Sequence, residues 1–95
     1  MNHTIQIGKR TISAASPTFI VAEVSANHNQ NYDRAVEIIH AAAEAGADAV
    51  KLQTYTADTL TIDCHDDCFM NKGGLWDGIS EYDLYKQAYT PWEWQ

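Results

Sequence analysis

Two short runs at the start of the chain alternate apolar and polar residues, Thr4-Ile5-Gln6-Ile7 and Arg10-Thr11-Ile12-Ser13, on either side of Gly8-Lys9. A two-residue turn opening on glycine matches the twist of antiparallel strands, so the pattern predicts a β-hairpin over residues 4–13. From Thr18 to Ser25 the chain is almost continuously apolar and is broken only by Glu23. That character suits a strand covered on both faces, as in a parallel sheet. After the polar stretch Asn27-His28-Asn29-Gln30-Asn31, the segment from Asp33 to Ala45 places Val36, Ile39 and Ala43 at helical spacing, and Gly46 supplies a stop. A second strand is predicted from Asp48 to Thr54. Residues 18–54 thus read as one right-handed βαβ unit with parallel strands.

Residues 55–88 lack a sustained period until Glu81 to Ala88, where a short helix is predicted after a long loop. Loops of such length within a domain usually carry function. At the end of the chain, Thr90-Pro91-Trp92-Glu93 has the form of a capping box with proline at the first helical position, which predicts the start of a further helix over residues 90–95. A helix of so few residues cannot nucleate alone, so the expectation is that these residues form the N-terminal piece of a larger protein.

Composition narrows the partners. The chain has 95 residues, a formal net charge of −7 and 45% hydrophobic content. An acidic surface disfavours the phosphate backbone of nucleic acids and anionic membranes, both of which need clustered cations. Neither a membrane-spanning helix nor a signal peptide is predicted, and the cytoplasm is the expected setting. Cys64 and Cys68 are too few for a disulfide framework and are expected to stay thiols.

Strand alternation puts Glu23 on one face of the first predicted strand and Lys51 and Gln53 on one face of the second. Parallel strands bring all three toward the same C-terminal edge, where α/β folds place ligands. Charges inside such a sheet are costly unless paired, so the residues suggest either a polar site or a structural ion pair. Asn27 and His28 continue from that edge into the loop, where an imidazole could ligate a metal, donate to a phosphate or simply be hydrogen-bonded. The Cys64-His65-Asp66-Asp67-Cys68 cluster lacks the second ligand pair of a structural zinc site. The aromatic run Trp76, Tyr82, Tyr85, Tyr89, Trp92 and Trp94 reads as packing ahead of a sugar-stacking surface.

Two blocks, Phe19-Ile-Val-Ala-Glu-Val-Ser-Ala-Asn-His28 and Ala45-Gly-Ala-Asp-Ala-Val-Lys-Leu-Gln-Thr54, resemble the opening of the sialic acid synthase family, the phosphoenolpyruvate-dependent nonulosonic acid synthases. Leu75-Trp-Asp-Gly78 and the segment from Tyr82 to Trp94 are more similar to its pseudaminic acid branch than to its N-acetylneuraminate branch. The resemblance implies an α/β fold: a β-hairpin followed by the first βα units of a (β/α)8 TIM barrel that is incomplete within these residues. It also implies a terminal antifreeze-like domain and a homodimer in the complete protein. The implied reaction joins C3 of phosphoenolpyruvate to the aldehyde of a diacetamido-trideoxy hexose and releases phosphate. A divalent metal cation, Mn, Co or Mg, polarises the aldehyde in this family, on histidines of later strands, and no metal ligand is assigned in this chain. By the resemblance, Glu23 is the catalytic carboxylate, Lys51 binds phosphoenolpyruvate, and Gln53 contacts the sugar. Asn27 and His28 belong to the substrate-binding loop.

Trp76 stands where N-acetylneuraminate synthases tend to carry an asparagine that contacts the sugar. A bulkier, more apolar wall suits a deoxy, diacetamido sugar, the pseudaminic precursor, better than N-acetylmannosamine. By the same resemblance the isolated piece is inactive. Synthesis of N-acetylneuraminate or legionaminate is the alternative within the enzyme class, and a non-catalytic interaction module the alternative outside it.

Overall fold

Gly8 makes the first turn of the chain. It has a φ of +56°, which costs glycine little and which a two-residue hairpin loop of this kind requires at its first position. The computed structural model describes residues 3–95. Strands β1 (Ile5–Ile7) and β2 (Arg10–Ile12) pair antiparallel around that turn, with Ile5 opposite Ile12 and Ile7 opposite Arg10.

Strands β3 (Val21–Glu23) and β4 (Ala49–Lys51) form a separate parallel pair joined by helix α1 (Tyr32–Glu44). Asn31 caps α1 by accepting from the Arg34 N–H at 3.0 Å, and Asp33 in the first turn complements the helix dipole. At the other end Gly46, at φ +95°, donates to the Ala43 carbonyl while Ala47 donates to that of Ala42. These two bonds are a Schellman motif, which satisfies carbonyls the helix would otherwise leave open.

Both strands are shorter than the apolar runs predict, and β3 is not covered on both faces: Ile20 and Val21 are about half exposed, at 55% and 47%. Among the described residues β3 pairs with β4 alone. Val24, just past β3, is buried, as are Ala35 of α1 and Ala57. The hairpin is tied to this unit by Asp48, which accepts from the Arg10 guanidinium and, at 2.9 Å, from the Ile20 N–H. The Arg10 guanidinium also lies over the Phe19 ring.

Beyond β4 the predicted long loop contains helix α2 (Ala57–Leu60) and a 3-10 turn at Asp67–Phe69. An antiparallel bridge between Met70 and Ser80 closes the loop 71–79. Helix α3 spans Glu81–Ala88 and starts on buried Ser80, whose hydroxyl accepts from the Asp83 N–H. No helix among the described residues is long and apolar enough to cross a membrane.

The predicted capping box at the end of the chain does not form. Trp92–Trp94 is a 3-10 turn with Pro91 before it, and neither side-chain capping bond is made. The Thr90 hydroxyl is instead engaged by His28, a tertiary contact that outcompetes the local one.

Candidate active site

Glu23 and Lys51 are direct register partners at the C-terminal ends of β3 and β4. Lys51 Nζ stands 3.8 Å from Glu23 Oε1, and both side chains are about 60% exposed (60% and 59%). Within this chain each keeps hydrogen-bonding capacity for a ligand. The ladder runs one bond further, from the Val24 N–H to the Lys51 carbonyl at 3.1 Å.

Gln53 lies two residues beyond Lys51, past the last strand pairing. Its carbonyl accepts from the Thr90 N–H at 2.8 Å, so the segment after α3 fixes the backbone there.

The loop from β3 to α1 is tightly wound. Ser25, Asn29 and Gln30 all have left-handed backbone, at φ +52°, +49° and +54°. Such conformations are uncommon for residues with a Cβ, and they cluster where surrounding structure over-determines the chain, often at functional sites. Asn29 is of a residue type that visits this region after glycine, whereas nothing local marks Ser25 or Gln30 for it. Asn27 folds back on the strand end, its backbone N–H and its Nδ2 both donating to the Val24 carbonyl, at 3.2 and 3.0 Å.

His28 is fully buried, at 0% exposure. Its Nδ1 accepts from the Gln30 N–H at 2.9 Å, which requires a lone pair there. In the neutral ring the proton therefore sits on Nε2, which donates to Thr90 Oγ1 at 3.0 Å. Burial holds its pKa below the usual histidine value, favouring that neutral form. Trp94 packs edge-on against the ring with centroids 5.1 Å apart. Both nitrogens are thus committed within the chain, and the expectation that the imidazole reaches a substrate, phosphate or metal is corrected: His28 holds the loop to the segment after α3.

Trp76 is 46% exposed in the loop 71–79, where its carbonyl accepts from the Ile79 N–H. Among the described residues no hydrogen bond or aromatic contact joins it to Glu23, Lys51 or Gln53. The other aromatics pack: Tyr55 lies edge-on to Tyr85 at 5.6 Å and tilted to Tyr89 at 6.4 Å. Between α2 and α3 they border an open groove of about 290 Å³, lined among others by Asp58, Tyr82, Lys86 and Trp92. Tyr82 donates to Asp58 at 3.0 Å, and this bond leads the causes that push its pKa above the ordinary tyrosine value. Sequence spacing alone did not single out this groove, because Asp58 and Tyr82 meet only through the turns of the intervening loop.

Cys64 and Cys68 are free thiols. Among the described residues no three His, Cys, Asp or Glu side chains are grouped to hold a metal ion.

With this geometry in place, known proteins supply the family. A family model described as "NeuB family" matches residues 38–95. The chain is 48% identical over 90 residues to a pseudaminic acid synthase of Campylobacter jejuni, covering 95% of this chain and 26% of that protein. It is 53% identical over 78 residues to a pseudaminic acid synthase of Helicobacter pylori, covering 82% of this chain and 23% of that one. The crystal structure of the spore coat polysaccharide biosynthesis protein SpsE from Bacillus subtilis superposes with a TM-score of 0.63 at 36% identity, over 96% of this chain and 22% of that one. The chain thus spans about a quarter of the length of the curated relatives it matches. With more than half of its residues inside the family model, and with the resemblance read from its two sequence blocks borne out, the chain belongs to the NeuB family.

Proposed function

We propose that this chain supplies part of the substrate site of a pseudaminic acid synthase. The enzyme condenses phosphoenolpyruvate with 2,4-diacetamido-2,4,6-trideoxy-altrose to give pseudaminic acid and phosphate. One observation carries the reading: a carboxylate and an ammonium stand as exposed register partners at the C-terminal edge of a parallel strand pair. The identities of 48% and 53% to pseudaminic acid synthases support the choice of branch.

On this reading Lys51 holds the anionic phosphoenolpyruvate, where a fixed cation is needed because the chain as a whole carries −7. C3 of phosphoenolpyruvate forms the new bond to the sugar aldehyde carbon, whose oxygen takes a proton. Water adds at C2 and phosphate leaves with its bridging oxygen, so the C2 keto group forms on the water's oxygen, one water proton passing to the new hydroxyl and the other to phosphate. Glu23 serves proton transfer on the sugar side, and Gln53 and Asn27 orient the sugar through amide hydrogen bonds. Trp76 walls the deoxy end of the sugar. The protein works in the cytoplasm as a homodimer.

The test is phosphate release by the complete protein from phosphoenolpyruvate, with Mn, Co or Mg present, comparing the altrose derivative with N-acetylmannosamine. Turnover of the altrose derivative supports the proposal. Turnover of N-acetylmannosamine alone moves the reading to the N-acetylneuraminate branch. Release with neither sugar, in a folded protein, favours the non-catalytic interaction module.

A further inference from the structure

The strand ladder ends at Lys51, two residues before Gln53. Among the described residues Gln53 lies past the strand pairing, and its carbonyl accepts from the Thr90 N–H. Thr90 is itself buried, at 1% exposure, and its hydroxyl takes the one proton of the neutral His28 ring. The far nitrogen of that ring accepts from the Gln30 N–H, in the left-handed part of the loop after β3. Around this chain of three bonds two more contacts brace the same segment. Gln30 Nε2 donates to the Tyr89 carbonyl at 3.3 Å, and Gln95 Nε2 donates to Thr54 Oγ1 at 2.8 Å.

We infer that Thr90, oriented by His28, is a positioning residue for sugar binding: its N–H holds the Gln53 carbonyl and so fixes the backbone that carries the Gln53 amide, two residues past Lys51. This rests on the proposed role of Gln53 as a sugar contact. The arrangement works in one direction only. A hydroxyl at position 90 must accept from His28 Nε2–H, and the Thr90 backbone must then present its N–H to Gln53. Removing the hydroxyl leaves a buried donor without an acceptor and frees the segment to shift. Lys51 is held by the ladder itself, through the bond from the Val24 N–H, and does not depend on Thr90.

The consequence is a split between the two substrates. In the complete protein, Thr90→Val is expected to raise KM for the sugar by about tenfold, the factor that a lost buried hydrogen bond of this kind carries, with KM for phosphoenolpyruvate held within about twofold. Thr90→Ser keeps the hydroxyl and restores the sugar KM. If Thr90→Val does not fold, the comparison of His28→Gln with His28→Asn decides the matter. The glutamine amide can donate from the ε position and is expected to stay near wild type, whereas asparagine reaches only the δ position and is expected to behave like Thr90→Val. Equal rises in both KM values, or a sugar KM unchanged in Thr90→Val and in His28→Asn, overturn the inference. A wild-type protein that releases no phosphate with any sugar overturns instead the functional reading on which it rests.

Discussion

Glu23 and Lys51 face each other in register, yet their charged atoms stand 3.8 Å apart, at the loose limit of an ion pair, with both side chains mostly in solvent. Exposed pairs of this kind contribute about 0–1 kcal/mol to stability. A charge-assisted bond to a bound anion is worth about 1.5–3 kcal/mol. Lys51→Met is therefore expected to lower turnover more than stability. Phosphate release should fall by roughly 10- to 100-fold or more. Glu23→Gln should separate stability from turnover in the same way. Chemical denaturation and initial rates on the same preparations check both, and a large loss of stability without loss of turnover would assign the pair a structural role.

The His28 ring meets only uncharged partners in its recorded contacts, the Gln30 N–H, the Thr90 hydroxyl and the Trp94 ring. Burial lowers its pKa from the ordinary 6.5, so the folded protein binds this proton less well than the unfolded chain. The stability His28 contributes is then fully present above about pH 6.5 and is lost as the pH falls through the lower folded value. Protonation would also set an Nδ1 proton against the Gln30 N–H. Melting temperatures from pH 8 down to about 5 should decline in wild type and decline less in His28→Gln, which has no titrating ring. Parallel curves for the two proteins would contradict this.

How much of this was legible in sequence follows the range of the interactions. Gly8 with its alternating flanks, the helical spacing of Val36, Ile39 and Ala43, and the Glu81–Ala88 helix are local signals, and the corresponding elements are present. Glu23 and Lys51 could be brought together by alternation and parallel pairing alone, and they are. The strand ends could not be placed, because apolar runs such as Phe19-Ile20-Val21 do not show where pairing stops. Thr90 failed for a different reason: its local context favours a cap, but His28, 62 residues away, takes the hydroxyl. The same long-range bond makes His28 a buried strut where the loop sequence left a ligand and a hydrogen-bonded bystander equally open.

Asp48 joins the hairpin to the strand pair. Its carboxylate pKa is held below the ordinary 3.8, first by the bond from the Ile20 N–H and then by Arg10, with partial desolvation working against both. A depressed carboxylate stabilises the fold above its unfolded pKa and stops doing so as the pH falls through its folded value. Asp48→Asn should therefore be less stable than wild type at neutral pH, and the gap should narrow as the pH is lowered from about 4 toward 2. Acid unfolding curves of the two proteins read this directly, and a gap that widens on acidification would exclude it.

Gly46 tests the backbone rather than a side chain. At φ +95° it closes the Schellman motif of α1, and an added Cβ would meet no atom within 4 Å. The cost of Gly46→Ala is then conformational alone, about 1–2 kcal/mol for an L-residue held in left-handed backbone. The loss should appear in denaturation midpoints with an unchanged denaturant slope. A neutral result would mean that the turn into β4 relaxes to another geometry.

Trp76 bears on which sugar is chosen. Its indole is 46% exposed on a loop that is anchored through the Met70–Ser80 bridge and through Asn71, whose Nδ2 donates to the Ile79 carbonyl at 3.1 Å. The ring is thus carried on a braced loop and is free to meet a ligand. If it walls the deoxy end of the sugar, Trp76→Asn removes apolar contact there and offers an amide to a hydroxyl. One such change in a pocket is worth about 1–3 kcal/mol of discrimination, or roughly 10- to 200-fold. The ratio of kcat/KM for the altrose derivative to that for N-acetylmannosamine should fall by that factor in Trp76→Asn. The loop carries the side chain without relying on it for a hydrogen bond, so the melting temperature should change little. A variant that keeps the wild-type ratio would remove Trp76 from the sugar site and leave the choice of sugar to residues elsewhere in the protein.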